Sequence, residues 1–124
     1  MAELENTRKR ASMDIENVAR ARAMSVAEQF LPIIDAIDAA AAHAPEDEGV
    51  KTLKKAADNT LAKLGVVRIQ TIGEVLNPQF HNAILTEASA APANTITKEM
   101  QSGFMFGDSV LRAAMVAVSK GGAE

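Results

Sequence analysis

The spacing of apolar residues along this chain shifts from helical to alternating, and each shift marks a boundary. Residues 2–43 contain no glycine and are rich in Ala, Glu, Arg and Met, all good helix formers. From Leu4 to Val18 the apolar stripe is thin. Leu4, Ala11 and Val18 recur every seven residues among charged neighbours, with Thr7 and Ile15 near the other seam position. Such a stripe on a polar helix resembles half of a coiled coil more than a globular core helix. From Phe30 it thickens to Phe30, Ile34, Ile37 and Ala41 at 4-3-4 spacing, with Leu31 and Ile33 alongside, the pattern of a bundle helix. Pro32 lies inside it. Proline lacks a backbone donor and crowds the preceding turn, so a kink or break is expected just before it. Ser25 would then cap a second helix, with Glu28 completing a capping box. The pattern stops near His43-Ala44-Pro45, and Glu46, Asp47 and Glu48 suit a loop and the positive start of the next helix. That helix is predicted over about 48–64. Val50, Leu53, Ala57, Leu61 and Leu64 mark one face, and Gly65 is placed to end it.

Beyond Gly65 the period switches to two. Val67, Ile69 and Thr71 oppose Val66, Arg68 and Gln70 in a short strand ending at Gly73. Leu76-Asn77-Pro78 reads as a turn, Phe80 to Glu87 carries a second strand, and Ala88–Asn94 is a small-residue loop around Pro92. Strands follow near 95–100, 103–106 and 109–119, with Phe104 and Phe106 alternating before a Gly107-Asp108 turn. The tail 120–124 is expected to be disordered. The fold class is therefore α+β. A long N-terminal helix and a shorter one occupy 1–65, and a small all-β unit occupies 66–119.

Composition adds an expectation about assembly. Of 124 residues 48% are hydrophobic, yet only 3% are aromatic, with no Trp and no Tyr. Core volume must come from Leu, Ile, Val, Met and many Ala. Alanine buries little area, and apolar burial is worth only about 25 cal/mol per Å². A lone copy would be weakly stable, so association between copies is expected to supply the missing burial. The net charge is −3, and the pI is near 5.4. The one basic cluster, Arg8-Lys9-Arg10, reads as a solvated helix face, and no nucleic-acid partner is expected. With no cysteine, disulfide scaffolds, Cys-ligated zinc and Cys nucleophiles are excluded, which is compatible with a cytoplasmic location. No apolar run approaches the roughly 20 residues of a membrane span, and no membrane partner is expected.

Catalytic chemistry is thinly represented. His43 and His81 fall on different predicted elements. His43 suits a helix C-terminus, and His81 reads as a turn histidine hydrogen-bonded to backbone rather than a base. Asp35 and Asp38 lie three apart on one helix face, and nothing else converges on them, so they read as a solvated face. No phosphate-cradling glycine loop or serine elbow is written here. No enzyme activity, metal, cofactor or small-molecule substrate is expected. Met100, Met105, Met115, Phe104 and Phe106 belong to the β unit, where alternation must turn some of them outward as an adaptable contact surface.

Read together, these segments resemble the GrpE family, the nucleotide-exchange factors of DnaK-type chaperones. The likeness rests on Ala2 to Arg10, Phe30-Leu31-Pro32-Ile33-Ile34-Asp35, Leu64-Gly65-Val66 and Leu76 to Ile84. Met100-Gln101-Ser102-Gly103-Phe104 and Val110 to Val118 continue it. Their order and spacing are specific together. The resemblance implies a homodimer with parallel long helices, a four-helix bundle with two shorter helices from each copy, and a β "wing" on each side. Dimer contacts would fall on Leu4, Ala11, Val18, Phe30, Ile34, Ile37, Leu53 and Leu61. It implies a co-chaperone of protein folding and the heat-shock response, whose wing packs on the chaperone's ATPase domain, holds the nucleotide cleft open and expels ADP.

The family's partner contacts would fall on Leu76, Pro78, Met100 and Val118 in the wing, and on Arg8 in the long helix. The first three apolar contacts and Val118 are expected to face outward. Ser109 stands where better-known members often have arginine, and Arg112 is the candidate substitute or else a support of the wing. Ala39 and Ala42 replace charged contacts of relatives, which suggests a weaker polar rim. The chain begins late against the family pattern, as a trimmed or short member would. Influence on substrate release and heat response belongs to the preceding part by resemblance, so neither is expected of these residues. The rival reading is a structural coiled-coil adaptor whose β unit caps a dimer without exchange activity.

Overall fold

The computed structural model describes residues 2–122 and divides into two compact units, Met1–Pro32 and Ile33–Glu124. The first unit is helical, the N-terminal part of α1 (Ala2–His43), a helix of 42 residues. Leu4, Met13, Ile15, Val18, Val26 and Phe30 are each at least half exposed, whereas Ala27 and Leu31 are buried. Ala11 is exposed as well. An apolar stripe therefore lies open along a helix whose other faces are charged.

The expected break at Pro32 does not occur, because α1 continues through it to His43. Ser25 is accordingly a mid-helix residue and caps nothing. An interior proline costs a helix about 3 kcal/mol. Good helix formers on both sides and burial of Leu31 and Ile34 outweigh that local penalty. Pro32 is itself exposed, so the carbonyl it leaves without a donor, that of Glu28, can be served by water.

In the second unit the end of α1 leads to α2 (Glu48–Leu64). Asp47 caps α2, its Oδ1 accepting the Val50 N–H at 3.1 Å. Gly65 ends it in the left-handed conformation at φ 81°, as its position predicts. Six strands follow: β1 (Val66–Arg68), β2 (His81–Glu87), β3 (Ile96–Gln101), β4 (Phe104–Phe106), β5 (Ser109–Arg112) and β6 (Ala114–Ser119). They form two three-stranded sheets, ordered β1-β4-β5 and β2-β6-β3. The first sheet is antiparallel, and in the second β6 runs parallel to β2 and antiparallel to β3.

Two expected strands are redrawn by this topology. The first stops at Arg68 rather than near Gly73, with one further bond in the register of its pairing to β4, from the Ile69 N–H to the Gly103 carbonyl at 2.9 Å. The predicted strand over 109–119 is two strands, because the chain passes from one sheet to the other at Ala113. Gly103 lies against this crossing. A Cβ there would sit 2.4 Å from the Ala114 nitrogen and 2.9 Å from the Ala113 carbonyl carbon, so only glycine lets the two backbones approach.

The β core is built from Ile96, Ala114, Val116 and Val118, with Leu76 packed against it. Phe104, at the centre of the other sheet, is fully buried. Disorder of the whole tail is not observed. Lys120 donates its N–H to the Glu87 carbonyl and Gly121 to the Ser119 hydroxyl, both at 2.9 Å. Ala123 and Glu124 lie outside the described residues.

Candidate functional site

The segment Glu74–His81 is shaped by its own hydrogen bonds. The Asn77 carbonyl accepts the N–H groups of Phe80 and His81 at 2.9 and 2.8 Å, and its side-chain oxygen accepts the Gln79 N–H at 3.0 Å. His81 Nδ1 accepts the Asn77 N–H at 3.0 Å, which leaves Nε2 to donate to the Gln70 carbonyl at 2.7 Å. The histidine is a buried backbone brace, as its setting in the sequence suggests. Pro78 projects from this turn into solvent. Leu76 is only half-buried and leans on the core, while its N–H bonds the Asn94 carbonyl at 2.8 Å.

The other apolar contact candidates do not gather at this turn. Val118 is 3% exposed and belongs to the core, paired across from Ile96. The expectation that it faces outward is thus corrected: β6 is the central strand of its sheet, and Val116 to Ser119 are buried on both of its faces. Met100 is 54% exposed, four residues along β3 from Ile96, or about 13 Å at the usual strand rise. It lines a separate cleft of about 400 Å³ with Ala39, Ala42, Lys54 and Gln101 among its walls. The turn's exposed apolar neighbours are instead Ile72 and Val75, at 68% and 69%. Sequence reading missed both as contact candidates. The available signal was an apolar residue on each side of Gly73, a turn glycine at φ 88°.

The charged residues form a connected hydrogen-bond network. Asp35 and Asp38 are half-buried rather than a solvated face, a correction caused by two arginines distant in sequence. Arg112 grips Asp35 with two bonds of 2.8 Å and donates to the Ser102 carbonyl at 2.6 and 3.1 Å. Arg68 grips Asp38 at 2.9 and 3.0 Å, donates to Asp58 at 2.9 Å and reaches the Ser102 hydroxyl at 2.9 Å. That hydroxyl donates to Glu99 at 2.8 Å, which also accepts from Thr71 at 2.6 Å. The Phe104 ring lies between the two guanidinium groups, 5.3 Å from Arg68 and 5.4 Å from Arg112.

Burial by itself would push the Asp38 carboxyl up. The hydrogen bond and charge of Arg68, with Lys54 beside it, prevail and hold it below its ordinary value of 3.8. For Arg68 burial likewise opposes the charge, and its bonds to Asp38 and Asp58 more than offset this, so it holds its proton more tightly than usual. Among the described residues no buried side-chain nitrogen or oxygen lacks a partner. Arg112 is therefore committed within the chain, which favours its role as a support of the β domain. Ser109 is half-buried at the start of β5, and Arg8 is exposed on α1.

The residues expected at a dimer contact divide by exposure. Leu4, Val18, Phe30 and Leu53 are half exposed or more, whereas Ile34 and Leu61, at 7% and 6%, are already buried within one chain. Ile37 lies between these extremes, and Ala11 is open. Among the described residues no three His, Cys, Asp or Glu side chains are grouped to hold a metal. No described helix is long and apolar enough to cross a membrane.

Comparison with known proteins points to one family. The GrpE family model matches residues 1–120. The chain is 38% identical to protein GrpE of Shewanella loihica over 130 residues, covering 98% of this chain and 63% of the relative. It is 37% identical to protein GrpE of Shewanella frigidimarina, covering 98% and 65%, and 37% identical to that of Paraburkholderia phytofirmans, covering 95% and 63%. The chain thus spans a little under two thirds of the length of these curated relatives. With a family match running from the first residue to the end of β6, the chain belongs to the GrpE family.

Proposed function

We propose that this chain acts as a nucleotide-exchange co-chaperone. A homodimer would bind the ATPase domain of a DnaK-type chaperone and hold its nucleotide cleft open so that ADP leaves. Residues 1–65 would form the paired helices and four-helix bundle, and 66–119 the wing that meets the chaperone in the cytoplasm. The observation that carries this reading is the family match over residues 1–120. The open apolar stripe Leu4, Val18 and Phe30 along α1 supports association between copies, because a solitary helix gains nothing from such a stripe. The turn carrying Val75 and Pro78, with Met100 further along β3, supports a contact surface on the wing. Val118 would support that surface from beneath, and Leu76 would share both roles.

The mechanism is a population shift. A partner that binds only the open cleft stabilises it by its differential affinity, about 5.5 kcal/mol to turn a 1:99 mixture into 99:1. No bond is made or broken in the protein. The adaptor alternative gains some ground from the burial of Val118, and only Val75, Ile72, Pro78 and Met100 now speak against a plain cap.

Mixing the protein with a DnaK-type ATPase domain loaded with a fluorescent ADP analogue tests this directly. Release should accelerate with added protein. Replacing Val75 with Asp and Pro78 with Ser should weaken binding by about 1–3 kcal/mol with circular dichroism unchanged. Release that stays at its basal rate under saturating wild-type protein would favour the adaptor.

A further inference from the structure

The β domain follows the helices through a single residue. Gly65, left-handed and with open space where a Cβ would stand, separates Leu64 of α2 from Val66 of β1. One glycine joining two elements is a short joint, held by its own N–H to the Ala62 carbonyl at 3.1 Å and by the Gly107 N–H to its carbonyl at 3.4 Å, and side chains that span it can fix the angle further. The two arginines are suited to do this. Arg68 and Arg112 belong to β1 and β5, the outer strands of one sheet, and Phe104 belongs to the strand between them. Their acceptors, Asp35 and Asp38, are one turn apart on α1. Each pairing is a two-bond fork, which fixes direction as well as distance. One fork would leave a swivel, whereas two forks straddling a sheet define its orientation.

We infer that the Asp35–Arg112 and Asp38–Arg68 pairs form a two-point ionic latch that seats the β domain on the helices about the Gly65 pivot, making these four positioning residues for partner engagement. The core of the other sheet, Ile96, Ala114, Val116 and Val118, does not include them. Loosening the latch should therefore free the β domain as a body without melting it. Engagement of the chaperone rests on the function proposed above, but the latch can be measured without any partner.

The chain has no cysteine, so spin labels can be placed at will. Cysteines replacing exposed Ala36 on α1 and exposed Asn82 on β2 report the seat by electron-electron distance, in samples diluted with unlabelled protein. The wild-type background should give one narrow distribution. Asp35→Asn with Asp38→Asn should broaden it, while hydrogen-exchange protection of β6 stays. Asp35→Glu with Asp38→Glu, which keeps both charges, should broaden it less than the double Asn variant does. A distribution that stays narrow in the double Asn variant, or loss of β6 protection along with the seat, overturns the latch. If wild-type protein speeds ADP release, the double Asn variant should do so less by roughly tenfold, within the span usual for positional coupling. Equal release from a visibly loosened variant would overturn the positioning role. Failure of the wild type itself would refute only the proposed exchange function and leave the distance measurement decisive.

Discussion

Gly103 and Asp38 show how much a single position can decide. At Gly103 the clash on adding a methyl is with backbone, not with a side chain that can rotate away. Gly103→Ala should destabilise the β domain by about 1–3 kcal/mol, the usual range for overpacking, measured as a lowered midpoint in urea unfolding. Nothing in the sequence singles out this glycine, four residues before the turn glycine Gly107, because its constraint comes from the crossing at Ala113. Asp38 makes a pH prediction. Its carboxyl titrates below the ordinary 3.8 when folded, so the stability it confers is fully present above about pH 4 and is lost as pH falls through the depressed value. Carbon-detected NMR titration should place the Asp38 midpoint below the ordinary 3.8. Arg68→Gln should move it back upward, through loss of the partner's bond and charge.

At the scale of elements, helices were far more legible than strands. The limits of α2 and its closing Gly65 follow from local pattern, since a helix satisfies its hydrogen bonds within itself. The strands' existence was legible, but not their partners or the division at Ala113, because each ladder bond needs a strand distant in the chain. Pro32 was a local signal that misled, and Ser25 with it. Its substitution offers a direct check: Pro32→Ala should restore the missing helical bond and raise the thermal midpoint, by a free energy of up to about 3 kcal/mol. No gain, or a loss, would mean that the proline is matched by structure α1 needs at that point.

For the whole molecule, the partition between inward and outward apolar residues carries the proposed dimer. Phe30 and Leu53 are exposed in the single chain, at 50% and 55%, so charge placed there should leave the protomer's own packing intact. Phe30→Asp with Leu53→Asp should shift sedimentation from dimer to monomer. Dilution of the unaltered protein should lower its melting temperature, as mass action requires when folding and association are linked. An intact dimer in the double variant, or a melting point independent of concentration, would refute this account of assembly. Ile34 and Leu61 are poorer probes than their heptad-like spacing suggests, since substitution there also opens the chain's own interior. The candidate contact surface shifted in the same way. Pro78 and Met100 stand open as expected, Val118 lies inside, and Ile72 and Val75 are exposed beside the turn.

What the amino-acid order determined alone was whatever closes over a few residues: the span and end of α2, the turn at Asn77-Pro78, the α+β class, and the ordered set of segments shared with the GrpE family. What only tertiary structure decided was which alternating side chains face inward, where strands change sheets, and how charges meet. Arg68 finds Asp38 across 30 residues, and Arg112 finds Asp35 across 77. No periodicity encodes such a pairing. It exists because two sheet edges and one helix face are brought within a side chain's length, where burial makes an unpaired charge costly and a forked ion pair the stable outcome.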